Sequence, residues 1–281
     1  MTDTEAEIGR DLVTLALAED LGGTPGVDLT AVALAGAHAR ATLIARQDGV
    51  VCGLGPAVWT FASRGVTELE IVCAEGSTVR AGDPLIHVTG GAAAVLSAER
   101  TALNLIQRLS GTATLTRAFV DAVAGTGARI LDTRKTTPGM RALQRWAVRC
   151  GGGDNHRFGL FDEAMLKDNH IAASGSIAAA VRVIRDAHPG VRIHVEADTL
   201  AQAGEAADAG ADVVLLDNMT DDELRAAIER IAGRALTEAS GGVDLTTVAA
   251  IAATGVDRIS IGALTHSAPA FDAALDLETT T

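Results

Sequence analysis

From residue 128 onward, short apolar segments alternate with helical segments about every 20 to 25 residues. This repetition is typical of βα units, in which strands separated by helices run parallel in one sheet. The pattern predicts six strands, at 129–133, 164–167, 192–197, 213–217, 236–239 and 259–262, with helices such as 176–186 and 221–231 between them. A closed barrel needs eight such strands. We therefore expect an α/β fold with an irregular, incomplete α/β barrel.

The chain before residue 128 has a different pattern. Residues 5–20 have the apolar spacing of an amphipathic helix, and 39–45 and 69–72 have the composition of strands. Residues 76–88 predict a hairpin with its turn at 81–84. Residues 93–124 predict a helix that breaks near Ser110 and Gly111. The first part of the chain is therefore expected to mix helices and strands.

Composition disfavours two classes of partner. The formal net charge of −13 lacks the basic footprint of a nucleic-acid binder and repels anionic membrane surfaces. Residues 1–7 lack the basic and apolar regions of a signal peptide, and no apolar run reaches membrane-spanning length. The three cysteines form no metal or redox motif, which predicts buried thiols. We expect a cytoplasmic protein that binds neither nucleic acid nor membranes.

Polar residues follow all six predicted strands. Parallel βα barrels build their active sites at the carboxyl ends of the strands, so these residues are predicted to share one site. Loops are polar simply because they are wet, and this explains one or two of the positions. Exposure of loops to water does not readily explain why a lysine and two acids directly follow buried strands. The residues are, in order, Arg134-Lys135, Lys167 to His170, Glu196, Asp217-Asn218, Ser240 to Gly242 and Gly262-Ala263.

The segment from 132 to 170 is rich in cations although the chain is acidic, which predicts a cleft for a polyanionic ligand. Both lysines of the chain, Lys135 and Lys167, lie within it, and a lysine ammonium is a compact charge that the planar guanidinium cannot mimic. His156 and Arg157 follow a glycine-rich loop at 151–153. The other arginines, Arg141, Arg145 and Arg149, recur every four residues, so a solvated helix face and a role in the site remain equally open for them.

Two acids, Glu196 and Asp217, end consecutive predicted strands. Paired carboxylates suit Mg²⁺, which usually arrives with phosphates and keeps several waters. A salt bridge to a cleft lysine is the alternative, and both roles are compatible. Ser240 to Gly242 and Gly262 lie in the last two βα loops, where barrels usually bind phosphate. Glycine lets backbone N–H groups approach phosphate oxygens closely.

Several segments resemble the quinolinate phosphoribosyltransferase family. They are DTRKTTPG at 132–139, GGGDNHR at 151–157, LKDNH at 166–170, AERTALN at 98–104, LLDN at 215–218, EASGG at 238–242 and IGALTHS at 261–267. The resemblance implies an N-terminal open-faced α/β sandwich at 1–112 and a barrel domain at 113–281, whose last helix packs back on the first domain. It also implies a cytoplasmic homodimer or larger assembly that uses Mg²⁺, quinolinate and phosphoribosyl pyrophosphate.

The resemblance implies a role for each matching position. Arg100, reaching into the partner's active site, would hold the quinolinate carboxylates together with Arg134, His156 and Arg157. Lys135 and Lys167 would flank the reacting centre and the pyrophosphate. Glu196 and Asp217 would serve the ribose hydroxyls and Mg²⁺. Thr133 is a further expected substrate contact, and the ribose 5-phosphate would bind Ser240, Gly241, Gly242, Gly262 and Ala263.

Three departures from the family pattern bear on these expectations. The loop at 22–28 is looser than the family's usual turn, and Asp154 and Phe161 lie close enough in sequence to the cationic loop to alter the ring pocket. A relative with the same fold that uses nicotinate or another pyridine carboxylate, such as the paralogues linked to molybdenum transport, is therefore the nearest alternative. A non-catalytic phosphate-binding barrel is the second, although it has no need of paired lysines and paired acids.

Overall fold

The structure is a computed structural model that describes residues 1–24 and 26–278. The chain forms two compact units. The first contains residues 1–117, 136–152 and 264–281, and the second contains 118–135 and 153–263. The expected domains at 1–112 and 113–281 thus differ from the observed units in three segments, 113–117, 136–152 and 264–281, which belong to the first unit. No helix among the described residues is long and apolar enough to cross a membrane.

The described residues up to 122 form three α-helices, one 3-10 helix and five strands. In chain order these are α1 (Asp3–Leu21), a 3-10 helix (Leu29–Leu34), β1 (His38–Ala45), β2 (Gly49–Val50), α2 (Leu54–Ser63), β3 (Glu68–Ile71), β4 (Thr78–Val79), β5 (Pro84–Gly91) and α3 (Ala92–Ala122). Helix α1 begins with a capping box between Thr2 and Glu5, which satisfies backbone N–H groups at its start. The predicted helix at 5–20 is confirmed.

Four strands of the first unit form one antiparallel sheet in the order β12, β1, β5, β3, where β12 is Ala273–Glu278. The buried residues of β1 alternate, so that one face of the strand packs into the core with Leu54 and Phe61 of α2. On the other face, Thr42 and His87 form an exposed hydrogen bond. A sheet covered on one face agrees with the expected open-faced sandwich.

Two predictions for this region are wrong. Strand β4 pairs with β2 and not with β5, so 76–88 is not a hairpin. Helix α3 continues through Ser110 and Gly111, because Gly111 has no Cβ and so admits the backbone carbonyl oxygen of Pro269. The described part of the chain ends in the strand β12. Of the three cysteines, Cys52 is buried, whereas Cys73 and Cys150 are only half-buried.

The second half of the chain has the predicted βα repetition. Its elements are β6 (Arg129–Leu131), α4 (Arg141–Cys150), β7 (Ala164–Leu166), α5 (Asp168–Ser174), α6 (Ile177–Ala187), β8 (Ile193–Ala197), α7 (Leu200–Asp208), β9 (Val213–Asp217), α8 (Asp221–Ile231), β10 (Leu236–Ser240), α9 (Val248–Ala252), β11 (Arg258–Ser260) and α10 (Ala263–His266). Helix α4 belongs to the first unit.

The six strands of the second unit form a parallel sheet in the order β6, β11, β10, β9, β8, β7. Strands β6 and β7 are its two edges, so the sheet does not close on itself. The predicted incomplete α/β barrel is therefore confirmed. Its central strands are buried almost throughout, as expected for strands covered on both sides.

Candidate active site

A cavity of about 420 Å³ lies in the second unit, at the carboxyl ends of the barrel strands. Nine of the residues expected in the site line it. They are Thr133, Arg134, Lys135, His156, Arg157, Lys167, Glu196, Asp217 and Ser240. Met165, Leu215 and Ser260 complete the lining and were not expected from the sequence. The structure thus brings together residues that are more than 120 positions apart in the chain.

The alternation of side chains along a strand explains why these residues meet. Glu196 pairs in register with Leu215 of the neighbouring strand, and Asp217 pairs with Ser240. Leu215 and Asp217 are two positions apart on β9, so they point to the same side of the sheet. On each of β8, β9 and β10, the last side chain that points into the barrel is therefore polar.

The two carboxylates of the cavity have close partners within it. The Nζ of Lys167 forms an ion pair with Oε2 of Glu196, whose side chain is only 14% exposed. The side-chain amide of Asn218 donates to Oδ2 of Asp217 at 2.6 Å. The salt bridge that the sequence left open for these acids thus exists for Glu196. It holds the Lys167 ammonium at the cavity, where it can attract a phosphate.

Arg157 is 9% exposed and still lines the cavity. Its Nη1 donates to the backbone carbonyl of Glu163 at 3.1 Å, which fixes the direction of the guanidinium. Burial, together with the positive charge of Arg134, lowers the pKa of Arg157 below its ordinary value. Two like charges held close in a half-enclosed space favour an anion between them, because the anion relieves their repulsion.

The loop after Arg157 is held by Asp162. Its carboxylate accepts hydrogen bonds from the backbone N–H groups of Phe158 and Gly159. Burial raises the pKa of Asp162, but these backbone hydrogen bonds outweigh burial, and the pKa lies below its ordinary value. An ionised Asp162 therefore keeps the loop closed around Arg157 over the neutral pH range.

The glycine-rich turn after β10 has a constrained backbone. Gly241 and Gly242 have φ angles of +98° and +60°, in the region that favours glycine. A Cβ on Gly241 would lie 2.2 Å from Oδ1 of Asn218, so this position admits no side chain. The predicted phosphate contacts do not line the cavity themselves: Gly241 and Gly242 directly follow the lining residue Ser240, and Gly262 and Ala263 lie two and three positions after the lining residue Ser260.

Other expected site residues lie elsewhere. Arg100 is on α3 in the first unit and lines a separate cavity of about 320 Å³ with Arg108 and Met140. Arg149 forms a two-pronged ion pair with Glu5 at 2.7 and 2.9 Å, which makes it a structural residue of the first unit. Burial raises the pKa of Glu5, but the hydrogen bonds and charge of Arg149 help to lower it overall.

Asp154 and Phe161, the two departures from the family pattern near the cationic loop, do not line the cavity at the carboxyl ends of the strands. Asp154 is paired with Arg129 and lines a second cavity, of about 310 Å³, at the amino ends of the strands. Phe161 is 82% exposed, and its ring lies 6.2 Å from the ring of Phe158. Neither residue therefore lines the cavity directly, and an effect of either on the choice of substrate stays a prediction.

Comparison with known proteins agrees with this geometry. Residues 28–110 match the model of the quinolinate phosphoribosyl transferase N-terminal domain, and residues 112–276 match that of the C-terminal domain. The chain belongs to this family. The carboxylating nicotinate-nucleotide pyrophosphorylase of Mycobacterium leprae is 43% identical over 99% of the chain and 100% of its own length. The probable enzyme of the same name from Bacillus subtilis is 43% identical, over 92% of the chain and 90% of its own length.

A solved relative shares the whole fold. The nicotinate-nucleotide pyrophosphorylase structure from Francisella tularensis has a TM-score of 0.93 at 37% identity, and the match covers 97% of each chain. The family architecture of an N-terminal domain followed by a barrel is thus present here over its full length. The cavity described above lies in the barrel unit, within the residues that the C-terminal family model matches.

Three buried polar residues of this family member were missed from the sequence. Asp132, His194 and Glu238 are each 0% exposed. Oδ1 of Asp132 accepts the backbone N–H of His156 at 2.8 Å, and Oδ2 accepts the side-chain amide of Asn155 at 2.6 Å. His194 and Glu238 lie two positions before Glu196 and Ser240. Side chains two positions apart on a strand point to the same side, so His194 and Glu238 could have been predicted to face the barrel interior from the positions of Glu196 and Ser240.

Proposed function

We propose that this protein transfers the phosphoribosyl group of 5-phosphoribosyl 1-pyrophosphate to the ring nitrogen of quinolinate. The products are nicotinate mononucleotide, pyrophosphate and CO₂, in the biosynthesis of NAD. One observation carries the proposal: a single cavity contains two arginines and two lysines together with two carboxylates. That arrangement suits one ligand with two carboxylates and a second ligand with a diphosphate.

The residues divide the work between the two substrates. Guanidinium groups grip carboxylates bidentately, so Arg134 and Arg157 bind the dicarboxylate ring. The ammonium groups of Lys135 and Lys167 face the diphosphate and stabilise the charge that it gains as the ribosyl C1–O bond breaks. Glu196, held by Lys167, and Asp217, held by Asn218, receive the ribose hydroxyls. Positioning of the ring nitrogen next to C1 of the ribosyl group contributes much of the acceleration.

Loss of CO₂ needs no organic cofactor. Attack of the ring nitrogen on C1 makes a pyridinium, and the electron pair of the adjacent carbon–carboxylate bond then stays on the ring carbon as CO₂ departs. The positive ring nitrogen stabilises this carbanion, which takes up one proton to give the mononucleotide. Arg134 and Arg157 hold the remaining carboxylate while this happens.

The cofactor that this chemistry requires is Mg²⁺. Glu196 and Asp217 supply oxygen ligands on adjacent strands, and two carboxylates suit an ion that keeps most of its shell for water and phosphate oxygens. These two residues would hold the ion, directly or through water. When bound, Mg²⁺ neutralises charge on the diphosphate leaving group.

The proposal includes a cytoplasmic homodimer, or a larger assembly, in which Arg100 enters the active site of the partner subunit. Arg100 lies on the long helix α3, is exposed and lines a cavity of the first unit, so its guanidinium is accessible to an anion there. Arg100→Ala should raise KM for the dicarboxylate. Mixing that variant with a Lys167→Ala variant should restore activity through hybrid dimers with one intact site.

The nearest alternative is use of nicotinate or another pyridine carboxylate by the same cavity. Both Arg134 and Arg157 line the cavity, and the repulsion between their like charges is relieved further by a ligand with two carboxylates than by a ligand with one. This favours the dicarboxylate. A non-catalytic phosphate-binding barrel is disfavoured by the presence of both lysines and both acids in one cavity.

Mass-spectrometric product analysis tests the proposal. The protein is incubated with phosphoribosyl pyrophosphate and Mg²⁺, and with either quinolinate or nicotinate. We expect nicotinate mononucleotide and CO₂ from quinolinate, and little product from nicotinate. Nucleotide formed from nicotinate but not from quinolinate would assign the mono-acid instead. Omission of Mg²⁺ in the presence of a chelator should abolish turnover.

A further inference from the structure

The loop at 158–162 connects Arg157, which lines the active-site cavity, with strand β7. Its last residue, Asp162, anchors the loop from within. The carboxylate of Asp162 accepts the backbone N–H of Phe158 through Oδ2 and that of Gly159 through Oδ1. These are the two residues that directly follow Arg157. The carboxylate therefore fixes the backbone on the carboxyl side of Arg157.

The guanidinium of Arg157 is tied to the same stretch of chain. Its Nη1 donates at 3.1 Å to the backbone carbonyl of Glu163, the residue directly after Asp162. Oε2 of Glu163 is in turn 2.8 Å from Nε2 of His194, which lies on β8. Asp162 and Glu163 thus hold both the backbone and the guanidinium of Arg157, and the contact with His194 connects them to the barrel sheet.

The charges of the cavity explain why such a hold is needed. Arg157 lies beside Arg134, and burial together with the charge of Arg134 lowers the pKa of Arg157. Two like charges favour conformations that move them apart, and the rotatable bonds of an arginine side chain allow this movement. A guanidinium that stays in the cavity before a ligand arrives must therefore be restrained by the protein. Asp162 and the carbonyl of Glu163 supply this restraint.

From this geometry we propose that Asp162 is a positioning residue for Arg157 and, through Arg157, a determinant of selectivity for the dicarboxylate. Asp162 does not line the cavity itself. It holds the backbone that carries Arg157, so that the guanidinium is in place before the ligand binds. A ligand carboxylate then binds without the entropy loss of ordering a free arginine. The inference rests on the proposed function, in which Arg157 binds a carboxylate of the ring.

The two oxygens of Asp162 make the proposal testable in steps. Each oxygen accepts a different backbone N–H, one from Phe158 and one from Gly159. Asparagine keeps one acceptor oxygen but replaces the other with an NH₂ group, which cannot accept. Its remaining oxygen is also neutral, and a neutral acceptor makes a weaker hydrogen bond than a carboxylate. Asp162→Asn should therefore retain part of the hold, and Asp162→Ala none of it.

Steady-state kinetics of three variants measure the KM values for the two substrates. Two of the variants are Asp162→Ala and Asp162→Asn. Asp257→Ala is the matched control, because Asp257 is also exposed and also accepts two hydrogen bonds, from the backbone N–H and the hydroxyl of Thr237. Asp257 directly precedes β11, at the amino end of the barrel, and does not line the active-site cavity. Chemical denaturation measures the folded fraction of each variant.

We expect Asp162→Ala to raise KM for quinolinate about 5-fold, the scale of losing one hydrogen bond of ordinary net strength. KM for phosphoribosyl pyrophosphate should stay within about twofold, because the lysines that face the diphosphate lie outside the loop at 158–162. The quinolinate KM of Asp162→Asn should lie between those of Asp162→Ala and the wild type. Asp257→Ala should lower the free energy of unfolding and leave both KM values unchanged.

A merely structural role for Asp162 predicts a different outcome. Both KM values of Asp162→Ala would then change together, or only its free energy of unfolding would fall, as in Asp257→Ala. Either result would overturn the proposal. Equal impairment of the asparagine and alanine variants would do so as well, because the retained oxygen would then have no effect.

A second measurement needs no substrate. Exchange of the backbone amide hydrogens of Phe158 and Gly159 with deuterium is followed by NMR in the wild-type protein and in Asp162→Ala. We expect exchange at least about 10-fold faster in the variant, because local opening of the loop no longer breaks these hydrogen bonds. Equal exchange in the two proteins would overturn the proposal even if Asp162→Ala is inactive. Absence of activity with quinolinate in the wild-type protein would instead refute the proposed function, and the exchange result would stand.

Discussion

The two ends of the barrel strands carry similar residues in opposite arrangements. At the amino ends, two of the three arginines that line the cavity meet an acid: Arg129 pairs with Asp154, and Arg192 contacts Glu163 at 3.4 Å. At the carboxyl ends, cations outnumber acids in one cavity, and Arg157 lies beside Arg134. The pKa values reflect the difference. Asp154 raises the pKa of Arg129, whereas burial and Arg134 lower that of Arg157.

The comparison shows how one set of residue types serves two purposes. An arginine whose charge is met by a carboxylate contributes to holding the protein together, and only modestly when exposed. Where cations outnumber the nearby acids, the cations repel one another, and a bound anionic ligand reduces that repulsion. We therefore expect ligands to bind at the carboxyl end of the barrel, where cations outnumber acids by more, as is usual in βα barrels.

The largest effect should come from Lys167 at the ligand end. We expect Lys167→Ala to reduce kcat at least about 100-fold while the protein stays folded, because it removes one stabiliser of the leaving diphosphate. Lys167→Arg should recover little, since a planar guanidinium does not reproduce the compact ammonium. Steady-state kinetics and thermal unfolding check both points. Near-normal turnover in Lys167→Ala would remove this residue from the mechanism.

The next effect concerns the turn after β10, also at the ligand end. Gly241→Ala should lower the free energy of unfolding by about 1 to 3 kcal/mol and raise KM for phosphoribosyl pyrophosphate. A side chain there is strained by the positive φ and collides with Asn218. Gly210→Ala is the control, since Gly210 has a φ of +83° with open space around it and lies outside the site. If the two variants behave alike, the contact with Asn218 has no importance.

A third prediction concerns pH and the amino-end cavity, which His194 lines. Burial, together with His156, lowers the pKa of His194 below 6.5. The unfolded chain therefore takes up this proton near pH 6.5 and the folded protein only at lower pH. The free energy of unfolding should fall below pH 6.5, by at most about 1.4 kcal/mol per pH unit from this residue.

His194→Gln isolates that contribution. Urea denaturation at pH 7.5 and 5.5 should show a smaller pH dependence in His194→Gln than in the wild-type protein. The exposed residue His188 supplies the control, and His188→Gln should keep the wild-type dependence. An identical pH dependence in all three proteins would show that burial of His194 does not couple to folding.

The smallest effect should come from the amino-end ion pair. Arg129→Ala should lower the free energy of unfolding by no more than about 1 kcal/mol, because the arginine is largely exposed. Added salt should shrink the difference between variant and wild type. Turnover should stay within about twofold of the wild type. A large loss of activity would mean that the two ends of the barrel are not separate in function.

The barrel was predictable from the sequence because its strands are buried on both faces and therefore appear as short apolar runs. Their ends were equally visible, since each run stops at a polar residue, and nine of the expected residues share the cavity. What the sequence did not reveal is how strands pair. The turn at 81–84 has hairpin chemistry, but β4 pairs with β2, because local turn residues say nothing about distant partners.

Close packing between distant segments explains the other errors. Ser110-Gly111 looks like a helix break, yet Ser110 bonds the backbone of Cys52 and Gly111 admits the carbonyl of Pro269. These contacts retain the two residues in α3 in spite of their low helix propensity. Within the site, His194 and Glu238 were overlooked because a polar residue inside an apolar strand gives no signal until its neighbours on the same face are known.

The pairing of β1 with β12 joins residues about 230 positions apart in the chain. On the ribosome, β1 leaves the exit tunnel long before β12 is translated. One edge of β1 therefore has no partner strand while the barrel is being synthesised. Contacts of such long range slow folding, because the intervening chain must be ordered first. Ribosome-bound chains that stop before residue 273 should thus expose β1 to chaperones and to proteases, whereas released chains that include β12 should not.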